Sequence, residues 1–300
     1  MIHDPADEQQ LIHTILSFRN DPEGLVMFLF PWGKVGSPLQ YHKGPRAWQL
    51  KALRKIKAHI EQNVRNQVDN KPLDLLKMAR ASGRGIGKSA FLAWISIWLF
   101  SCVIGSTTVV SANSEQQLKT KTFPEIKKWA TMALNSHWFE MNIMSIKAAP
   151  WLVKNLKETS DIDDAYWYIQ ASLWSEENPD AYAGNHSQLG MAVLFDEASG
   201  IPSSIWPVAE GFFTDKTTHR LWFVISNPRN PNGEFFECFH KGRDQWDTEH
   251  IDARTVEEND QGIYENIINR YGEDSDEARI EVYGKFPAQG ENQFISRDVV

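Results

Sequence analysis

Unbroken apolar runs, rather than alternating ones, dominate the middle of this chain. Residues 72–80 (PLDLLKMAR) read as a short strand, and 89–104 (SAFLAWISIWLFSCVI) as a helix that is apolar on every side and therefore buried. The run at 106–113 (STTVVSAN) alternates like a strand, and Ser114 with Gln117 three residues later makes a capping box that opens another helix. A further strand candidate lies at 167–174 (WYIQASLW). Residues 188–199 (QLGMAVLFDEAS) and 219–228 (HRLWFVISNP) are continuously apolar until they end in polar groups. Such runs are strands buried on both faces of a parallel sheet, with chemistry at their carboxyl ends. Upstream, 7–30 reads as one or two helices, 31–45 as a Gly/Pro-rich connector and 46–66 as a helix. The alternation predicts an α/β fold with a mainly parallel central sheet flanked by helices, plus a small helical N-terminal appendage.

Between the first strand and the buried helix stands SGRGIGKS, residues 82–89. It fits the phosphate-binding pattern G-x-x-x-x-G-K-[ST] with one departure, Ser82 in place of the first glycine. The strand–loop–helix context is the one the pattern requires. Gly83, Gly85 and Gly87 supply the permissive dihedrals of an anion-binding nest, which runs from Ser82 through Ile86 to Ser89. Lys88 is then placed on the phosphates and Ser89 on Mg²⁺, with a helix N-terminus aimed at the anion.

The strand at 188–199 ends in Phe195-Asp196-Glu197 and supplies what such a loop lacks. Asp196 can hold Mg²⁺ through its water shell, and Glu197 can polarise a water in line with the γ-phosphate. The pair separates an enzyme that hydrolyses ATP from a kinase, which needs no water-activating base. At the end of the neighbouring strand, Ser226 and Asn227 are placed to sense the γ-phosphate, or simply to end the strand in an Asn-Pro turn. Gln49, in GPRAWQ, can read an adenine edge or lie on a helix surface. These features together indicate a P-loop NTPase of the ASCE, RecA-like class, with ATP and Mg²⁺ as its cofactors.

Composition narrows the setting. Hydrophobic residues make up 42% and charged residues 23% of the 300, as in a water-soluble globular chain, and the longest apolar run is too short to cross a bilayer. The N-terminus MIHDPADEQQ is acidic where a secretory signal is basic, so a cytoplasmic protein with no membrane partner is expected. Cys102 and Cys238 are far apart and read as core residues of a reducing compartment. The net charge of −8 argues against a chain that coats nucleic acid by itself. Local basic groups (Lys51, Arg54, Lys55 and Lys57; Lys119, Lys121, Lys127 and Lys128) read as solvated helix faces, and ETSDIDDAY at 158–166 as a solvated acidic turn.

In their order, WQ, SGRGIGKS, VVSANSEQQLKTKTFPEIKKW, GNHSQLGMAVLFDEASGIP and ISNPRNPNGEFFECF resemble the large terminase subunit of tailed bacteriophages, over roughly residues 45–285. The resemblance implies an ATPase that moves double-stranded DNA into a procapsid in the host cytoplasm. Its implied partners are the portal protein, the small terminase subunit and further copies of itself, as a ring when docked and a monomer when isolated. It implies a nucleotide-sensing or hydrolytic role for Arg84, and coupling of hydrolysis to movement through Ser226 and Asn227. Members of that family carry a C-terminal nuclease domain, and QFISRDVV ends where it would begin. The implied organisation is an appendage and connector at 1–44, an ATPase domain at 45–286 and a linker at 287–300, with no nuclease residues assigned. Two alternatives remain. A superfamily 2 helicase motor needs a second RecA-like domain, and the residues after 240 read as too few and too helical for one. A nucleotide-gated assembly module would not need Glu197. Arg220, Arg229, Arg243 and Arg254 are all candidates for an arginine acting across a subunit boundary.

Overall fold

The computed structural model describes residues 5–158 and 164–288; the middle of the acidic stretch at 158–166 and most of the expected linker lie outside them. Helices α1 (Pro5–Ser17) and α2 (Pro22–Leu29) precede a turn-rich connector and the long helix α3 (Ala47–Val68). Strand β1 (Leu76–Ser82) leads through the glycine-rich turn into α4 (Lys88–Cys102), and then β2 (Thr107–Ala112) follows. The next helical run has three parts: α5 (Glu115–Gln117), a wide π-helical turn (Leu118–Thr122) and α6 (Phe123–Met132). After it come β3 (Phe139–Met141), β4 (Ser145–Ala148), α7 (Pro150–Lys157), β5 (Tyr168–Ala171), β6 (Met191–Asp196) and α8 (Ile205–Glu210). The rest is β7 (Arg220–Ser226), α9 (Glu234–Glu237), β8 (Asp247–Ile251), α10 (Gln261–Tyr271), α11 (Asp276–Ala278) and a second π turn (Arg279–Tyr283).

Among the described residues, eight strands form one sheet in the order β3-β4-β5-β2-β6-β7-β1-β8. From β5 to β8 all neighbours are parallel; β3 and β4 add an antiparallel hairpin at one edge. The expected α/β architecture is therefore present. Strand β7 stands between β1 and β6, with Ala81 opposite Ser226 and Asp196 opposite Ile225. The ends of the three strands are thus level, and whatever follows each of them meets at one edge of the sheet.

Three strands had no apolar run to betray them. β3 and β4 are three and four residues long, and β8 (DTEHI) is polar apart from its last residue. β8 is an edge strand held by charge as much as by its ladder. Arg80 of β1, only 2% exposed, donates to the Asp247 carbonyl at 2.6 Å and to its carboxylate at 2.7 Å. Lys51 and Lys55 of α3 reach Glu249 and Asp247 of the same strand, while Arg54 and Lys57 pair with Glu23 and Asp21. The basic group on this helix is a set of ion pairs rather than a free cationic face.

Every residue of α4 from Phe91 to Cys102 is buried, because the helix is packed between the sheet and the N-terminal helices. Among the described residues no helix is long and apolar enough to cross a membrane. Three groups bond to carbonyls at and just beyond the C-terminal end of α1, two of which, Ile15 O and Phe18 O, also accept a turn N–H. Cys102 Sγ reaches Ile15 O at 3.2 Å, Trp98 Nε1 reaches Phe18 O at 3.1 Å, and His219 Nε2 reaches Arg19 O at 3.1 Å.

The neutral His219 tautomer with the proton on Nε2 satisfies that bond and accepts the Thr218 hydroxyl on Nδ1 at 2.8 Å. Burial, reinforced by the Arg19 charge, pushes its pKa down to about 4. A depressed histidine pKa means that the unfolded state binds the proton more readily, so this contribution is complete above the unfolded value near 6.5 and is lost as pH falls towards 4. His59 and His250, also pushed down chiefly by burial, add in the same sense. Urea unfolding is expected to show a loss of about 2 kcal/mol from pH 7 to pH 5 from His219 alone. His219→Gln flattens that slope; an unchanged slope in this variant would place the titration elsewhere.

Candidate active site

The turn after β1 is built so that its carbonyls point away from the concave side. Four successive ones each accept a side-chain donor: Arg84 O from Tyr264 Oη at 2.8 Å, Gly85 O from Arg46 Nη1 at 2.7 Å, Ile86 O from Trp48 Nε1 at 2.9 Å and Gly87 O from Gln49 Nε2 at 3.0 Å. Three of the donors come from the N-terminus of α3. Gly85 and Gly87 have φ of +76° and +82°, which glycine tolerates best, and Gly87 is the N-cap of α4. The N–H groups of Gly83 and Arg84 are bonded to the Ile251 and Glu281 carbonyls, so with the carbonyls tied back it is the N–H groups from Gly85 onward and the helix N-terminus that are left for an anion.

Gly83 is glycine for a different reason from the one the pattern suggests. Its φ is not positive; instead, a Cβ there would lie 2.7 Å from Ala253 Cβ and 2.8 Å from Glu281 O. The second π turn is strapped across the loop at this point, and Arg84 N bonds to Glu281 O at 2.9 Å. Ser82 is the last residue of β1, and its carbonyl accepts Asn227 Nδ2 at 2.9 Å.

At the neighbouring strand ends the expected residues come together. Asp196 is 1% exposed; its Oδ1 accepts the Glu197 N–H at 3.1 Å and its Oδ2 the Thr122 hydroxyl at 2.6 Å. Burial, then the Glu197 charge, push the Asp196 carboxyl up, against the pull of Thr122 and Lys88. Glu197 has φ +47° and ψ +45°, a left-handed conformation that costs a non-glycine residue about 1 kcal/mol or more. The bend carries its carboxylate to the loop, 3.5 Å from Lys88 Nζ and 3.2 Å from Ser226 Oγ. Lys88 also donates to Asn227 Oδ1. Lys88, Glu197, Ser226 and Asn227 therefore form one connected polar cluster beneath the loop.

Ser89, in the first turn of α4, lines an open cleft of about 610 Å³, walled by Gly85–Ala90 on one side and by Thr120, Lys121 and Lys128 on the other. A hydroxyl and a buried carboxylate are hard oxygen donors that suit a hydrated Mg²⁺. Arg84 at the tip of the loop pairs with Glu281, which also holds Arg229. The Gln49 amide, expected to read an adenine or lie on a helix surface, is buried and engaged at both ends by backbone: Oε1 accepts Arg46 N–H at 2.8 Å and Nε2 holds Gly87. Of the other arginines, Arg220 is bonded to carbonyls of Leu73, Phe213 and Asp215 at the amino end of β7, and Arg254 to Asp252 beside Tyr283. Sequence reasoning passed over Arg46, Trp48, Thr122, Tyr264 and Glu281. Only the first two had a signal, since they flank Gln49 in the GPRAWQ stretch.

No family model and no curated protein matches the sequence. Among solved structures, the large terminase of a thermophilic bacteriophage superposes with a TM-score of 0.52 at 12% identity, over 80% of this chain and 56% of that one. The same phage's terminase in complex with ADP gives 0.48 at 13% identity, over 65% and 45%. The large terminase ATPase domain of Thermus phage P74-26 gives 0.48 at 18% identity, over 70% and 88%. The chain spans about half the length of the first two terminase chains, and the likeness at 12% identity is one of fold.

Gly83→Ala is expected to lower the free energy of unfolding in urea by about 1–3 kcal/mol, since the atoms it meets include backbone carbonyls that cannot yield cheaply. A loss below about 0.5 kcal/mol, the size of an ordinary surface change, would mean that the second π turn is not strapped to the loop.

Proposed function

We propose that this chain is a Mg²⁺-dependent ATPase that drives double-stranded DNA into a procapsid, the motor part of a large terminase subunit. The observation that carries the hydrolytic half is the meeting of a carbonyl-averted loop, Lys88, Ser89, Asp196 and a back-bent Glu197 at one edge of the sheet. The packaging half is supported by the ordered set of motifs from GPRAWQ to ISNPRNPNG and by the fold shared with the large terminase of the thermophilic phage.

In this reading the loop N–H groups from Gly85 to Ser89 cradle the β- and γ-phosphates, those of Gly83 and Arg84 being held by Ile251 and Glu281 carbonyls, and Lys88 turns from Asn227 and Glu197 to neutralise them. Ser89 and, through water, Asp196 would hold Mg²⁺, which spreads the charge that develops on the phosphates. Freed of its ammonium partner, the Glu197 carboxylate orients the attacking water and accepts its proton. Arg84 exchanges Glu281 for phosphate oxygens and serves the reaction from the loop itself. Asn227 holds the Ser82 carbonyl with one atom and Lys88 with the other, so departure of the γ-phosphate alters a contact at the end of β1. Gln49 and Ile86 take part through the loop backbone. Portal protein, small terminase subunit and ring neighbours complete the machine, and the isolated chain is a monomer in the host cytoplasm.

Glu197→Gln retains the shape and removes the base. Titration with a fluorescent ATP analogue is expected to show affinity within a few-fold of the parent, while single-turnover hydrolysis falls by roughly 10² or more. An unchanged rate would remove Glu197 from the chemistry, and a parent chain with no Mg²⁺-dependent ATP binding would end the reading altogether.

If a neighbouring subunit supplies a second arginine, turnover per chain rises with concentration or on docking to a portal, since such a group contributes a factor of about 10³ to 10⁵. Rate and mass measured together over a hundredfold range of concentration decide this. Full activity from a strict monomer would leave Arg84 as the only arginine that the reaction uses.

A further inference from the structure

Thr122 belongs to no motif, yet its hydroxyl lies nearer to Asp196 than the backbone N–H of Glu197 does, at 2.6 Å against 3.1 Å. It is fully buried and closes the first π turn. That turn has a cause in the sequence. Pro124 has no N–H to give to the carbonyl four residues back, and in a regular helix its ring would strike the Thr120 carbonyl. The backbone opens instead, and Phe123 N–H bonds to Leu118 O, five residues back.

The extra residue decides which side chains face the sheet. Counting back from Ala130 through Ile126 and Phe123 in helical steps, a regular helix would bring Lys119 to the core. The wide turn buries Leu118 instead and leaves Lys119 and Lys121 exposed; Thr122, which shares the buried face of Ile126 and Trp129, closes it with its hydroxyl on the carboxylate. One Asp196 oxygen is then fixed by Thr122 and the other by the Glu197 backbone, so the plane of the carboxylate is set and each oxygen keeps a lone pair for another donor. Lys121, on the same turn, lines the cleft opposite the loop.

We propose that Thr122 is a positioning residue of the phosphate site, orienting Asp196 towards the hydrated metal, and that the turn enforced by Pro124 is what presents it. This inference rests on the reading of the site as an Mg²⁺–ATP site. Loss of a partner that orients a direct metal ligand typically changes metal affinity by roughly 10- to 100-fold, and behind a carboxylate that acts through water the lower end, about 10-fold, is expected.

The test is binding of a fluorescent ATP analogue to the full chain across a series of Mg²⁺ concentrations. Thr122→Val, which keeps the shape without the hydroxyl, is expected to need roughly 10-fold more Mg²⁺ for half-maximal tightening while its Mg²⁺-free affinity is unchanged. Thr122→Ser is expected to stay within about two-fold of the parent, and Pro124→Ala to shift in the same direction as Thr122→Val. An unchanged Mg²⁺ dependence in Thr122→Val overturns the proposal, and so does a loss of affinity that is equal with and without Mg²⁺, the mark of a merely structural role. An unshifted Pro124→Ala overturns the part assigned to the turn. If Thr122→Val does not fold, Thr122→Cys, the thiol counterpart of the serine variant and a poor donor, carries the same expectation. A parent chain that binds no nucleotide in Mg²⁺ refutes the site itself, whereas parent binding with an unshifted valine variant refutes Thr122 alone.

Discussion

Everything at the site depends on where four carbonyls point. Only Gly87 O has a partner within the loop and its helix, the Phe91 N–H, and a buried carbonyl such as that of Ile86 costs about 1–3 kcal/mol without a donor. Arg46, Trp48, Gln49 and Tyr264 each bond one of the four, and the direction thus imposed on the backbone leaves the N–H groups from Gly85 onward for an incoming anion. Because three of the donors sit on the first turn of α3, the helix before β1 and the loop after it are one unit, although some forty residues separate them along the chain.

The second constraint is charge in a closed space. A buried Asp196, a Glu197 bent into the left-handed region and a mostly buried Lys88 are each unfavourable in isolation. They tolerate one another because Lys88 spans Glu197 and Asn227, while Thr122 and a backbone amide occupy the two oxygens of Asp196. In the proposed reading an anion entering the loop competes for the same ammonium, so filling the site would also rearrange its acidic groups.

The parts of this architecture that were legible in the sequence are those where one physical requirement dominates. Strands buried on both faces are apolar almost throughout, which exposed β6 and β7, and a helix buried all round must be as apolar as α4; β1, interrupted by Lys77 and Arg80, was marked by the loop that follows it. The loop was readable because few sequences put glycines and a lysine at that spacing between a strand and a helix. Edge elements escaped: β8 is held through Arg80, and its polar residues show no period. Thr122, Tyr264 and Glu281 escaped because their roles come from approach in space, across 74, 180 and 197 residues of chain, and no local pattern marks them. Pro124 was visible, but a proline in the second position of a helix reads as an ordinary start, not as the cause of a widened turn.

The carbonyls at the end of α1 carry a consequence for modularity. Cys102 and Trp98 turn to that helix end from α4 and His219 from just before β7, and Ile12, Ile15, Leu25 and Leu29 join the same apolar cluster as α4. Removing the first thirty residues would therefore uncover one side of the helix that begins at the glycine-rich loop and leave an indole and an imidazole without these acceptors. An evolving lineage could not exchange these N-terminal helices as a detachable adaptor; any replacement would have to bring both the apolar face and the correctly aimed helix end with it.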